Sequence, residues 1–293
     1  MSPMLSSPPF LSPSTAAEAL AALSQEPTPI LLAGGTWVMR APLRHEARAA
    51  RVVSLARIDA LHKFRISDDS LSLGALVTHD RLSRLLPDAE DLRGLRQAAL
   101  GAANPGVRRL ATLGGNLCAT SFAAADLGPA LLVLDAEVAL AGLTGTERMP
   151  VEAFLAQRDD RQVPWLLAEV TIRRDAGRFT AHQRLPMRQA GDYPCVIASV
   201  STGFDRQGRF DCPRIAVGAV EARARRWATL EQALQGTEPL ADGIEALARQ
   251  HLPSFDPREG PDVPGWYRLS VLPVLVRRAF GSIVAAREGT AWS

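Results

Sequence analysis

The stretch Arg108-Arg-Leu-Ala-Thr-Leu-Gly-Gly-Asn-Leu-Cys118, followed by Asp126-Leu-Gly-Pro-Ala-Leu-Leu132, decides the reading of this chain. Adjacent glycines let backbone N–H groups turn outward and approach a ligand with no Cβ in the way. Successive N–H groups in such a turn make a concave anion site. A second glycine turn, Ala33-Gly-Gly-Thr36, lies well upstream, directly after the apolar run Pro29-Ile-Leu-Leu-Ala33. Two such turns facing one another can hold both halves of a pyrophosphate without a positive side chain. Thr36, Thr112 and Asn116 add hydroxyl and amide donors. Asp126, in helix-cap position before Leu127, supplies a carboxylate that suits ribose hydroxyls better than phosphate. Either Gly-Gly pair alone also fits a plain tight turn.

Working outward, Thr15 and Glu18 have capping-box spacing, which predicts a helix over Ala16 to Leu23. Pro29 to Ala33 reads as a buried strand, Val52 to Leu55 as a short one, and Ser70 to Leu76 as a half-buried one. Leu92 to Ala103 looks helical, and Pro105-Gly106 marks a turn. Leu127 to Leu134 is a helix with Pro129 in its first turn. Ala136 to Leu140 and Leu166 to Ile172 are strands. Beyond residue 176, Phe179 to His182, Val196 to Phe204 and Arg214 to Val220 read as three strands with a turn at Asp205 to Gly208. Helices over Leu230 to Gln235, Gly243 to Gln250 and Ser270 to Ala286 follow. Strands then helices indicate a separate α+β domain.

Composition limits the chemistry. The chain has 293 residues, 47% hydrophobic and 22% charged, enough for a large core. Its net charge of +2 gives no electrostatic case for nucleic acid. Lys63 is the single lysine, so no other Schiff-base or phosphate-binding lysine exists. Cys118, Cys195 and Cys212 are scattered and too few for a four-cysteine zinc or iron–sulfur site. They point to a reducing compartment, the cytoplasm. Met1 to Pro13 has neither the basic start nor the apolar run of a signal peptide. Leu269 to Ala286, interrupted by Pro273, Arg277 and Arg278, reads as a buried or interface helix and not a membrane span.

There is no G-x-x-x-x-G-K-[ST] loop, no G-x-G-x-x-G after a strand, no H-E-x-x-H and no G-x-S-x-G. The five histidines share no ligand spacing, so each is expected to be a surface or satisfied core residue, and no metal site is expected.

Leu31-Leu-Ala-Gly-Gly-Thr36, Leu73-Gly-Ala-Leu-Val-Thr-His79, Arg108 through Cys118 with Asp126 to Leu132, and Asp135-Ala-Glu-Val138 occur in that order. Together they resemble the FAD-binding subunit of the molybdenum hydroxylases, the xanthine dehydrogenase and carbon monoxide dehydrogenase flavoprotein family. The resemblance continues through Arg188-Gln-Ala-Gly-Asp-Tyr193, Arg214-Ile-Ala-Val-Gly-Ala219, Leu230 to Gly236 and Trp266-Tyr-Arg268, and covers about residues 14 to 286. It implies an α+β chain: a two-subdomain FAD-binding fold of the PCMH (vanillyl-alcohol-oxidase-like) type, plus a C-terminal α+β domain with a three-stranded sheet. The implied division is a loose arm over 1–13, an FAD-binding domain over 14–176 (subdomains 14–62 and 63–176), and a C-terminal flavoprotein domain over 177–287.

Carried over residue by residue, the resemblance implies that Leu31, Leu32, Ala33, Gly34, Gly35, Thr36, Trp37 and Val38 wrap the FAD pyrophosphate. Thr112, Gly114, Gly115 and Asn116 form the second glycine turn, closing on the phosphates and flavin side. Asp126 meets the cofactor's sugar, Leu167 is an apolar flavin neighbour, and Arg184 stands where the family often has a lysine. Arg109, Ala111, Phe122 and Trp37 depart from the usual residues, and the segment from Asn116 to Asp126 is one residue longer. The indole of Trp37 is expected to fill the seam between the subdomains.

The implied activity is electron transfer by an oxidoreductase subunit, from [2Fe–2S] clusters through non-covalent FAD to an acceptor such as NAD or a quinone. Molybdopterin and [2Fe–2S] would sit on separate large and small partner subunits. No catalytic acid or base is expected from this chain. The rival readings are a self-sufficient oxidase of the vanillyl-alcohol-oxidase type and a flavin-free scaffold.

Overall fold

The computed structural model describes residues 9–46, 50–187, 193–260 and 263–289. The Arg188 to Asp192 part of the Arg188–Tyr193 motif lies outside the described residues. Three sheets organise the chain, each with its own apolar core.

The first is a small parallel sheet, in the order β1 (Phe10–Leu11), β3 (Val52–Ser54), β2 (Ile30–Leu32). Helix α1 (Ala16–Leu23) packs on it. Its capping box is present in full: Thr15 accepts from the Glu18 N–H and Glu18 reaches back to the Thr15 N–H. Ala19, Leu20, Val53, Ile58 and Leu61 fill this core. The arm expected to be loose through residue 13 is therefore tied down at its end, because Phe10 and Leu11 pair with Val52 and Val53.

The second sheet is antiparallel, with β4 (Phe64–Ile66), β5 (Ser70–Gly74), β8 (Trp165–Arg173), β6 (Glu137–Gly142) and β7 (Gly145–Pro150) side by side. The helices α2 (His79–Leu85), α3 (Glu90–Gly101), α4 (Pro105–Arg108), α5 (Leu113–Cys118), α6 (Leu127–Leu132) and α7 (Val151–Gln157) cluster against its core. The turn expected at Pro105-Gly106 is the start of α4, capped by Asn104 Oδ1 on the Val107 N–H at 3.0 Å. Proline at the first helical position loses no hydrogen bond, because that N–H has no intrahelical partner.

The third sheet holds the three strands expected after residue 176: β9 (Phe179–Pro186), β10 (Pro194–Phe204) and β11 (Phe210–Gly218). A two-residue edge strand, β12 (Arg225–Arg226), joins them. Helices α8 (Ala228–Leu234), α9 (Ala241–His251) and α10 (Gly265–Glu288) cover it, around Trp227, Phe210 and Phe280. By length and composition α10 is apolar enough to cross a membrane, and half of that stretch is buried within the chain. Leu272, Leu275, Val276, Ala279, Phe280 and Ile283 put it in the core of this domain. Of the Trp266-Tyr-Arg268 motif, only Arg268 turns inward, donating to the Cys195 and Ala219 carbonyls at 2.6 and 3.1 Å.

The second and third sheets are joined through α3. Gly94 of α3 lies tight against β9: a Cβ there would sit 3.1 Å from the Ala181 nitrogen. Its N–H donates to Thr180 Oγ1, and that hydroxyl donates to the Glu90 carbonyl. Arg174 clasps the buried Asp91 with two bonds, at 3.0 and 3.1 Å.

Candidate functional site

A cavity of about 1000 Å³ opens where the first sheet meets the second. That is the upper end of the volumes small-molecule sites occupy, so it suits a ligand of dinucleotide size. Leu31, Ala33, Gly34, Gly35, Thr36, Trp37 and Val38 line it, as do Thr112, Gly114, Gly115, Asn116, Asp126 and Leu167. Of the expected contacts, Leu32 and Arg184 do not line it. Leu32 packs behind the turn, with Cδ1 3.3 Å from where a Cβ on Gly35 would lie. Arg184 reaches the site through Asp126, donating from Nε at 3.0 Å.

The two glycine stretches are brought together by contact between backbones. A Cβ on Gly34 would lie 1.7 Å from the Leu110 carbonyl oxygen, so only glycine lets these segments meet. Gly35 has φ +73°, the left-handed region that side chains disfavour. Past that bend, the N–H groups of Gly34 through Val38 meet no acceptor among the described residues. Donors left unengaged inside the chain are what an anion site needs.

The second stretch is built differently. It is not an open turn but the start of α5, capped by Thr112. The Leu113 and Gly114 N–H groups donate to the Val77 and Ala75 carbonyls, at 2.9 and 2.7 Å. The Gly115 N–H donates to Thr112 Oγ1 at 3.0 Å, and the Asn116 N–H to the Thr112 carbonyl at 2.9 Å. These four donors are engaged inside the chain. Gly114 serves close packing instead: a Cβ would come within 2.9 Å of Ala75. What this wall can offer a ligand is the Thr112 hydroxyl hydrogen and the Asn116 amide.

Asp126 lines the cavity and has partners within the chain that the sequence did not show. It stands at the N-cap of α6 but makes no capping bond; Asn116 Oδ1 accepts from the Leu127 N–H instead, at 3.1 Å. The Asp126 carboxylate is 1% exposed and meets two residues of β9, Arg184 at 3.0 Å and His182 Nε2 at 3.2 Å. His182 Nδ1 lies 2.8 Å from Ser199 Oγ.

Phe122, Tyr193, Arg40, Arg161 and His79 line the cavity without having been among the expected contacts. Trp37, Phe122 and Tyr193 form an aromatic cluster, with ring centroids 4.6 to 6.2 Å apart. Trp37 thus lines the cavity and fills a seam at once, and Arg44 stacks over it at 4.0 Å. Arg40, which donates to the Tyr193 hydroxyl at 2.6 Å, and Arg161 bring positive charge to the cavity, against the expectation that none was needed. His79 lines it too, 2% exposed, neither a surface nor a satisfied core histidine. Burial pushes its pKa down to about 4, so the ring is neutral at physiological pH. Burial likewise pushes the Cys118 thiol up to about 12, which removes it as a nucleophile. Among the described residues, no group of acidic, histidine or cysteine side chains could hold a metal ion.

Two family models match the chain: the FAD binding domain in molybdopterin dehydrogenase over residues 5–172, and the CO dehydrogenase flavoprotein C-terminal domain over residues 181–283. The xanthine dehydrogenase FAD-binding subunit of Escherichia coli O157:H7 is 26% identical, aligned over 94% of this chain and 95% of its own length. The 6-hydroxypseudooxynicotine dehydrogenase complex subunit alpha of Paenarthrobacter nicotinovorans is 28% identical, over 85% and 84%. In fold, the chain matches a carbon monoxide dehydrogenase structure from Hydrogenophaga pseudoflava with TM-score 0.85 at 24% identity, covering 95% of this chain and 97% of that one.

Proposed function

We infer that this chain, which belongs to the family of FAD-binding subunits of the molybdopterin dehydrogenases, carries electrons within a multi-subunit molybdenum hydroxylase. The carrying observation is the row of N–H donors from Gly34 to Val38, facing a cavity of dinucleotide size. Backbone donors of this kind bind a pyrophosphate without needing a lysine, and the only lysine, Lys63, does not line the cavity. The residues present therefore fit FAD.

When bound, FAD supplies redox chemistry that no side chain here can perform. The chain's own residues bind and orient it. Gly34 to Val38 hold the diphosphate, with Leu31 and Ala33 beneath. Asn116 and Thr112 offer side-chain donors, and Leu167 gives an apolar wall. In this reading residues 14–62 and 63–176 are the two walls of the cofactor site and 177–287 the flavoprotein C-terminal domain. Attachment is non-covalent: no cysteine or histidine stands in the Gly34–Val38 turn, and the thiol of Cys118 is held protonated.

Three free cysteines cannot hold an iron–sulfur cluster of their own. The electron donor is therefore a separate small [2Fe–2S] subunit, and substrate is oxidised on a separate large molybdopterin subunit. The acceptor is NAD, a quinone or a similar carrier. Free thiols, one of them exposed, suit the reducing cytoplasm.

The test is reconstitution. The chain alone, loaded with FAD, is reduced by dithionite and not by the organic substrate. Co-expressed with its iron–sulfur and molybdopterin subunits, it co-purifies and its flavin bleaches when substrate is added. Turnover by the isolated chain would restore the oxidase alternative, and a chain that stays colourless after FAD addition would restore the scaffold.

A further inference from the structure

His79 opens α2, directly after the N-cap Thr78. Its N–H donates to the Ala111 carbonyl at 2.9 Å, and Thr78 bridges Thr112, so the residue is fixed against the wall that carries Thr112 and Asn116. His79 lines the cavity, but both ring nitrogens are buried away from it, and apart from a weak contact with the Thr112 backbone neither makes a hydrogen bond among the described residues. Leaving such a group unmatched is costly, and buried polar groups are otherwise paired. A leucine would fill the space without that cost, so the imidazole answers to something outside the chain.

The chemistry of that partner follows from the state of the ring. Desolvation keeps it neutral, Asp126 and the Thr112 backbone opposing and Arg108 reinforcing. A neutral imidazole carries one donor and one acceptor. A phosphate offers acceptors only and would favour the imidazolium form. An uncharged group with both a donor and an acceptor matches the ring on both counts.

We propose that His79 is a cofactor-binding residue whose ring, turning about χ2 as FAD seats, hydrogen-bonds the uncharged flavin half and not the pyrophosphate. The partners are the ribityl hydroxyls or the carbonyl and N–H edge of the isoalloxazine. This assignment rests on the FAD reading above and deepens it.

The experiment titrates the apo full-length chain by calorimetry with FAD and separately with ADP, which carries the diphosphate half alone. Wild type is compared with His79→Phe, which fills the space without hydrogen bonds, and His79→Gln, which keeps a donor and an acceptor. We expect His79→Phe to weaken FAD about 10-fold or more and to leave ADP unchanged. His79→Gln should recover most of the loss, and the midpoint potential of the bound flavin should move in the Phe variant only. Unchanged FAD affinity in the Phe variant makes His79 a core residue and overturns the assignment. Equal loss of FAD and ADP places it at the phosphates and also overturns it. Should the Phe variant not fold, the ring-nitrogen NMR signals of wild type decide, since FAD must move those of His79 and ADP must not. A wild-type chain that takes up no FAD fails the underlying reading itself, which the same titration shows separately.

Discussion

The Asp126 carboxylate accepts from Arg184 at 3.0 Å, across the join between the cofactor domain and the C-terminal sheet. His182 approaches the same oxygen at 3.2 Å, and Ser199 completes the chain behind it. Asp126 comes from α6 and its partners from β9 and β10, so the contact works as a latch between domains. It also fixes where the cavity wall stands.

Asp126→Ala removes the carboxylate from both partners. Deleting one member of a buried charged pair costs about 3–5 kcal/mol. Urea unfolding of the FAD-free chain should show that loss, and Asp126→Asn a smaller one. Unchanged apo stability with weakened FAD binding would make Asp126 a sugar ligand and not a latch.

Gly34→Ala should separate the two glycine stretches. Its Cβ would meet the Leu110 carbonyl oxygen at 1.7 Å, and backbone cannot yield cheaply. Flavin retention should be lost, measured as the ratio of visible to ultraviolet absorbance of the purified chain. Gly35→Ala meets only side chains at 3.3 Å or more but sits at φ +73°, so its cost is the left-handed penalty of about 1–2 kcal/mol. If both variants keep full flavin, the turn is merely structural.

His79 gives the apo chain a definite pH response. Its folded pKa of about 4 lies below the ordinary 6.5, so the unfolded chain takes up a proton that the folded one excludes. Stability should fall as pH drops through 6.5 and level off below about 4, a step of about 3 kcal/mol. The difference in unfolding free energy between wild type and His79→Gln, followed from pH 7 to 4, isolates this step from the carboxylates. A flat difference would show that the ring is not desolvated.

Native alkylation should separate the thiols. Cys118 is held at about 12 and Cys195 is buried, while Cys212 is exposed at a positive φ of 46°. Iodoacetamide at pH 8 should label Cys212 alone, as read by peptide mass spectrometry. Rapid labelling of Cys118 would mean that its thiol is not desolvated.

Acid precipitation of the loaded chain should release its flavin into the supernatant, as the non-covalent reading requires. Yellow protein in the pellet would contradict it.

The sequence by itself determined the elements whose signals are local. The capping box of Thr15 and Glu18 starts α1 where expected, and the apolar runs before Gly34 and after residue 176 are strands. It missed β7, because Gly145 to Pro150 is mostly exposed and edge-paired, so no alternation of burial marks it. The glycine pairs both lie on the cavity, but tertiary structure decided what each glycine does. Gly34 exists for contact with Leu110, and Gly114 for contact with Ala75, across distances in sequence that no local pattern encodes. Hydrogen-bond partners were equally hidden. The donors after Thr112 are engaged by Val77 and Ala75, whereas those after Ala33 are not. Whether a donor can bind a ligand depends on which acceptors the folded chain brings beside it, and the pairing of Asp126 with β9 and the partnerless ring of His79 follow from the same physics.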